Sequence, residues 1–138
     1  MKSERDIEFF IPQRAPFVFV SRVEDVSLEQ ARTLFTVEPD CPLVTDGCLT
    51  LAGVMENAAQ TCAARAGWVQ RTQELQVKIG YIGAIKQLQT TRLPKVGETL
   101  TTEAHVIQEV LNISLIECTT RIGDELIATT TLKLATID

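Results

Sequence analysis

The chain has 138 residues, 45% apolar and 22% charged, which suits one folded domain and excludes a disordered tail or a low-complexity polymer. Thirteen Lys and Arg against eighteen Asp and Glu leave a net charge of −5. No broad nucleic-acid surface is expected from that balance, because a phosphate backbone rewards a basic face. Pro16 opens an apolar run, Phe17 to Val23, that reads as a strand, and Ala31 to Val37 reads as a second. Glu38-Pro39-Asp40-Cys41-Pro42 then breaks regular structure.

From about residue 49 to residue 67 the period changes. Leu51, Val54, Met55, Ala58 and Cys62 recur at helical spacing, with Ala52, Ala59, Ala63 and Ala66 as a neighbouring stripe of small side chains. So little polar surface remains that the helix is expected to be wrapped by the rest of the fold, with Gly67 ending it. Period two returns from about Gln76 to Thr91, where Gly80 and Gly83 mark a bend or bulge. Turns at Leu93–Glu98 and Gly123-Asp124 separate strands over Thr99–Glu109, Asn112–Arg121 and Leu126–Thr136. In the last of these, Leu126, Ala128, Leu132 and Leu134 share a face. The reading is an α+β domain over 1–138, an antiparallel sheet around one long central helix.

No run approaches the roughly 20 apolar residues of a membrane helix, and the charged start lacks a secretory signal's apolar stretch, so a cytoplasmic, non-membrane protein is expected. Cys41, Cys48, Cys62 and Cys118 form no Cys-x-x-Cys pair, and His105 alone cannot complete a zinc site. Reduced thiols and no metal follow.

Five motifs occur in order: Ile11-Pro12-Gln13-Arg14-Ala15-Pro16-Phe17, the helix with Glu56 and Gln60, Tyr81-Ile82-Gly83, Leu93-Pro94-Lys95-Val96-Gly97-Glu98, and Gly123-Asp124-Glu125-Leu126. Together they resemble the hot-dog-fold 3-hydroxyacyl-[acyl-carrier-protein] dehydratases over nearly the whole chain. The resemblance implies a hot-dog fold, a homodimer or a heterodimer with a paralogue, and an acyl chain in a tunnel between subunits. It implies an acyl thioester substrate on acyl carrier protein or CoA, and no cofactor. In that family a loop histidine and a helix carboxylate from two subunits move the protons, while a backbone N–H at the helix start polarises the thioester carbonyl.

The carboxylate matches Glu56, and the histidine position is Gln13, whose neutral amide exchanges no proton near pH 7. The helix-start glycine falls on Leu51, with Gly47 and Gly53 nearby but off the offset. Glu56 and Gln13 are the candidate catalytic residues, and Gln60, Arg14, Phe17, Tyr81 and Gly83 the candidate substrate-binding ones. Glu56 interrupts a stripe of small side chains, where burial would raise its pKa; the plainer reading is a seam carboxylate bonded to Asn57 or Arg14. Gln13 and Arg14 lie between Pro12 and Pro16, which stiffen the loop. His105 falls on the strand face shared with Thr101 and Glu103 and reads as a surface histidine. Lys78, Lys86, Arg92 and Lys95 are candidates for a basic rim toward an acidic carrier protein, and Trp68 for a core or dimer contact.

Three functions compete: a dehydratase-like enzyme of fatty-acid or polyketide-type synthesis, impaired as a homodimer; a hot-dog acyl thioesterase; and a non-catalytic acyl-binding partner of an active paralogue.

Overall fold

Residues 7–72 and 79–137 are described in the computed structural model. The elements in chain order are β1 (Arg22–Val26), β2 (Gln30–Thr36), a small hairpin of β3 (Val44–Thr45) and β4 (Cys48–Leu49), α1 (Leu51–Thr72), β5 (Ile79–Thr90), β6 (Thr99–Val110), β7 (Ile113–Ile122) and β8 (Glu125–Ile137). Six of the strands form one antiparallel sheet in the order β1-β2-β6-β7-β8-β5. Alternation decides which face turns inward. Ala31, Thr33 and Phe35 of β2, Leu100, Thr102 and Ala104 of β6, Ile116 and Cys118 of β7, and Leu132 and Leu134 of β8 are buried. α1 packs mainly on β2 and β6. This is the expected arrangement, one long helix held against an antiparallel sheet. No helix among the described residues is long and apolar enough to cross a membrane.

Thr50 caps α1, its Oγ1 accepting from Gly53 N at 3.3 Å. The helix runs through Gly67 to Thr72, five residues past the expected end. Gly67 serves a different purpose: a Cβ there would collide with the carbonyl oxygen of Phe10, so its missing side chain lets the 3-10 turn Ile7–Phe9 and the following residues lie against α1. The buried face of α1 is also more polar than its apolar stripe implies. Val54, Ala58 and Cys62 are buried as expected, but so are Asn57, Gln60, Thr61 and Arg65, whereas Leu51 is 40% exposed.

The apolar run at Phe17 is not a strand until Arg22. Residues 17–20 run beside α1 outside any strand, with Phe19 and Val20 buried, and helix side chains bind the Phe17 and Phe19 backbone groups that a neighbouring strand would have bound. The Gly83 bulge is present: register shifts between Ile82 and Ala84, while Gly80 pairs regularly with Thr136. Residues 76–78 of the expected strand lie outside the described residues. In β8 a shift opposite Thr120 and Arg121 turns Ile127 inward and leaves Leu126 41% exposed, so Leu126 leaves the face expected for it. The small hairpin β3–β4 turns on Asp46-Gly47, both at positive φ.

β5 is an edge strand, and its Ile82 and Ile85 lie opposite the buried Leu134 and Leu132 of β8. They therefore sit on the inward face of the sheet, yet they are 38% and 50% exposed.

Candidate active site

The period of α1 places Glu56 and Gln60 one turn apart on one side, and the two side chains meet. Gln60 Nε2 donates to Glu56 Oε1 at 2.9 Å. Gln60 is fully buried and its amide is fully engaged: Nε2 also donates to Phe17 O at 2.9 Å, and Oε1 accepts from Phe19 N at 2.7 Å. The next helix residue, Asn57, is fully buried too. Its Nδ2 donates to Phe19 O at 2.7 Å, and its Oδ1 accepts from Thr102 Oγ1 on β6, which pairs in turn with Thr120 Oγ1 on β7. A polar chain thus runs from the sheet through α1 to the extended segment. In a core this dry each unpaired group would cost about 1–3 kcal/mol, so the satisfied chain fixes one register of helix on sheet.

Glu56 itself is half-buried, and Gln60 is its hydrogen-bond partner among the described residues. It bonds to neither Asn57 nor Arg14, the two partners of the plainer sequence reading. Arg14 turns back on its own loop, its Nη1 donating to Ile11 O at 2.7 Å and Gln13 O at 2.8 Å, with Nε 3.6 Å from Glu8 Oε1. Phe17 N donates to Arg14 O, closing the turn that brings the loop to Phe17. The Phe17 ring is 55% exposed. Gln13 is half-buried with its Oε1 turned inward, where no described residue donates to it.

The structure therefore gathers Glu56, Gln60 and the Phe17 backbone, with Gln13 and Arg14 on the attached loop. It does not bring Gly83 to them, because β7 and β8 separate edge strand β5 from β6 and β2 beneath the helix. The side chain of Tyr81 and all of Lys78 lie outside the described residues. Gly53 N is held by the Thr50 cap, and a Cβ there would meet the Leu49 side chain; Gly47 shapes the β3–β4 turn and its carbonyl accepts from Val96 N. Trp68 is half-buried and packs against the core cluster that includes Phe10, Ile11 and Ala64.

His105 is exposed on the outer face opposite Gln30 and Glu117, as expected. Arg92 is not available as a rim cation. It binds Glu98 through two nitrogens at 2.8 and 3.0 Å and Glu125 at 3.0 and 3.1 Å. The Arg92 bonds, then the Lys95 backbone N–H, hold the Glu98 carboxyl at a pKa of about 2. Cys62 on α1 and Cys118 on β7 are buried free thiols 3.6 Å apart, and the hydrogen bond with Cys118, then burial, pushes the Cys62 thiol well up. Asn57, Thr61 and Arg65 recur every four residues beside the apolar stripe, which marks them as buried polar groups.

Comparison with known proteins agrees with this architecture. The 3-hydroxyacyl-[acyl-carrier-protein] dehydratase FabZ of Levilactobacillus brevis is 23% identical over 126 residues, 87% of this chain and 83% of that protein. A chain of the dehydratase heterocomplex ApeI:P from Xenorhabdus doucetiae superposes with a TM-score of 0.92 at 18% identity, covering 99% of this chain and 93% of that one. A hypothetical thioesterase with coenzyme A from Streptococcus pneumoniae superposes at 0.69 with 8% identity, over 84% of each chain, which shows the shared hot-dog fold. The family model for ApeP-like proteins, described as ApeP dehydratase, matches residues 5–138, and the chain belongs to that family.

Proposed function

We propose that this protein is one half of a cytoplasmic hot-dog dehydratase dimer acting on 3-hydroxyacyl thioesters, silent alone and active beside a histidine-bearing partner subunit. In the reaction a base removes the C2 proton, the electron pair forms the C2–C3 double bond, and the C3 hydroxyl leaves as water once protonated. Two proton-handling groups are needed, one on each side of the substrate. Among the described residues Glu56 is the one group of this kind in the site, and the observation that carries the reading is its 2.9 Å bond to Gln60, which fixes the carboxyl beside the Phe17 turn. Gln13 stands where the resembling enzymes have their histidine, and an amide supplies no proton. In this reading the partner's histidine faces Glu56 across the dimer.

The exposed inward-facing Ile82 and Ile85 of β5 support a partner subunit that covers them, since an open apolar edge is otherwise an aggregation hazard. The similar dehydratase of Xenorhabdus doucetiae is itself a heterocomplex. Four free thiols suit a reducing compartment.

The test measures enoyl thioester formation from 3-hydroxyacyl substrates on acyl carrier protein and on CoA. The purified chain alone should be at least about 10²-fold slower than the mixed complex, the lower end of what a positioned acid or base supplies. Gln13→His should raise the rate of the lone chain, and adding Glu56→Gln should remove that gain. Full activity of the unmodified chain alone, untouched by Glu56→Gln, would overturn the proposal. Release of free thiol in place of enoyl product would replace it with the thioesterase reading.

A further inference from the structure

We propose that Asn57 is a positioning residue of this half-site: its side-chain amide holds the Phe17–Phe19 segment, and with it the Pro12–Pro16 loop, in place against α1 and Glu56. The inference rests on Glu56 as the proton-handling group. Residues 17–20 belong to no strand, and the sheet takes hold of the chain after them, at Ser21, whose N–H donates to Leu34 O at 2.7 Å. Their polar groups are instead clasped from α1, with Phe19 O bound by Asn57 and Phe19 N by Gln60, both at 2.7 Å. The two side chains differ in where they are anchored. Gln60 is tied to Glu56 on the same helix, whereas Asn57 is tied through Thr102 Oγ1 at 2.7 Å to β6 and onward to Thr120 on β7.

Asn57 therefore carries the rigidity of the sheet to the loop. Packing alone does not call for an amide at a fully buried helix position, where an apolar side chain avoids all desolvation. Here both ends of the amide are matched, donor to Phe19 O and acceptor to Thr102, which is a placement requirement and not a volume requirement. A loop displaced by about 1 Å costs on the order of 10²-fold in rate when it carries one wall of a reaction site.

The experiment compares Asn57→Ala and the isosteric Asn57→Asp, each as the free chain and in complex with the histidine-bearing partner. Ionised Asp keeps the acceptor for Thr102 and loses the donor to Phe19 O, so it isolates the loop contact once circular dichroism has shown that the variant folds. Amide hydrogen exchange of the free chain should quicken at residues 17–20 in both variants while β6 to β8 keep their protection. In the complex, with 3-hydroxyacyl-N-acetylcysteamine thioesters as probes, kcat should fall by about 10- to 10²-fold with KM little changed. For Asn57→Asp, the deficit in kcat relative to the unmodified protein should narrow as the pH falls, because a protonated carboxyl can again donate to Phe19 O. Unchanged exchange at residues 17–20 would overturn the proposal whether or not the complex turns over. So would unchanged kcat accompanied only by a lower unfolding midpoint. Quickened exchange in a complex that is inactive even when unmodified supports the loop anchor and rejects Glu56 as the reacting group.

Discussion

Gln60→Met keeps the length and most of the volume of the side chain and removes all its hydrogen bonds. The largest consequence falls on Phe19, whose buried N–H loses its acceptor 2.7 Å away, at a cost of about 1–3 kcal/mol. Phe17 is exposed and Glu56 half-buried, so water reaches their oxygens, and those two losses amount to about 0.5–1 kcal/mol each. Burying a thioether in place of an amide returns about 1 kcal/mol. The balance is a loss of about 1–4 kcal/mol, a large part of the stability of a small domain. Urea unfolding followed by circular dichroism measures it as a lower midpoint at unchanged slope. Since Gln60 also orients Glu56, activity in the mixed complex should fall further than stability explains at a denaturant-free baseline. A loss below about 0.5 kcal/mol, the size of an ordinary surface change, would refute the claim that Gln60 stands in for a strand neighbour.

Gly67→Ala should destabilise by about 2–4 kcal/mol, since its Cβ meets the Phe10 backbone and not a movable side chain, whereas Gly83→Ala, with 3.7 Å to Lys133 O, should stay within about 0.5 kcal/mol. Thermal unfolding of the pair checks this, and equal effects would mean that the segment at Phe10 yields freely. The Glu98 carboxyl, held by Arg92 at a pKa of about 2 against an ordinary value of 4.5, contributes stability that is fully present above the ordinary value. That contribution fades as the pH falls from about 4.5 toward 2, the usual sign for a depressed carboxylate. The stability difference between the unmodified protein and Glu98→Gln should shrink over this window, and a difference constant in pH would contradict the ion pair.

Much of the fold was legible because its signals are local. The switch from period two to period 3.6 and back located α1 and the strands β2, β5, β6, β7 and β8 to within a few residues, apart from the far end of the helix. The misreadings share a cause: the deciding partner is distant in sequence. Phe17 to Val20 has the composition of a strand, but its hydrogen bonds go to Asn57 and Gln60, about forty positions on, which no local pattern reports. Gly67 carries the local mark of a helix end, yet what it accommodates is the carbonyl of Phe10. Leu126 follows the parity of β8 until the shift at Thr120 and Arg121 turns Ile127 inward instead. Asp46-Gly47 was a local signal and could have been read.

The site was legible in a different proportion. Helical spacing put Glu56 and Gln60 together, and they are bonded. What the spacing could not give is the division of labour between them. Gln60 has no N–H left for a substrate, because Phe17 O and Glu56 take both, and its buried oxygen accepts from Phe19 N, so what it visibly does is hold Glu56 and the Phe17–Phe19 segment. The same holds for Arg14, which fastens the loop through backbone carbonyls at Ile11 and Gln13. Neither contact uses the side chain of residue 13. The loop is therefore held in shape by groups that do not depend on whether residue 13 can carry a proton. In the reading proposed above, an amide in place of an imidazole there removes a proton carrier and leaves these loop contacts in place. That separation is why a chain can keep the fold, the helix carboxylate and the loop of a dehydratase while depending, in the reading proposed above, on a second subunit for the missing proton carrier.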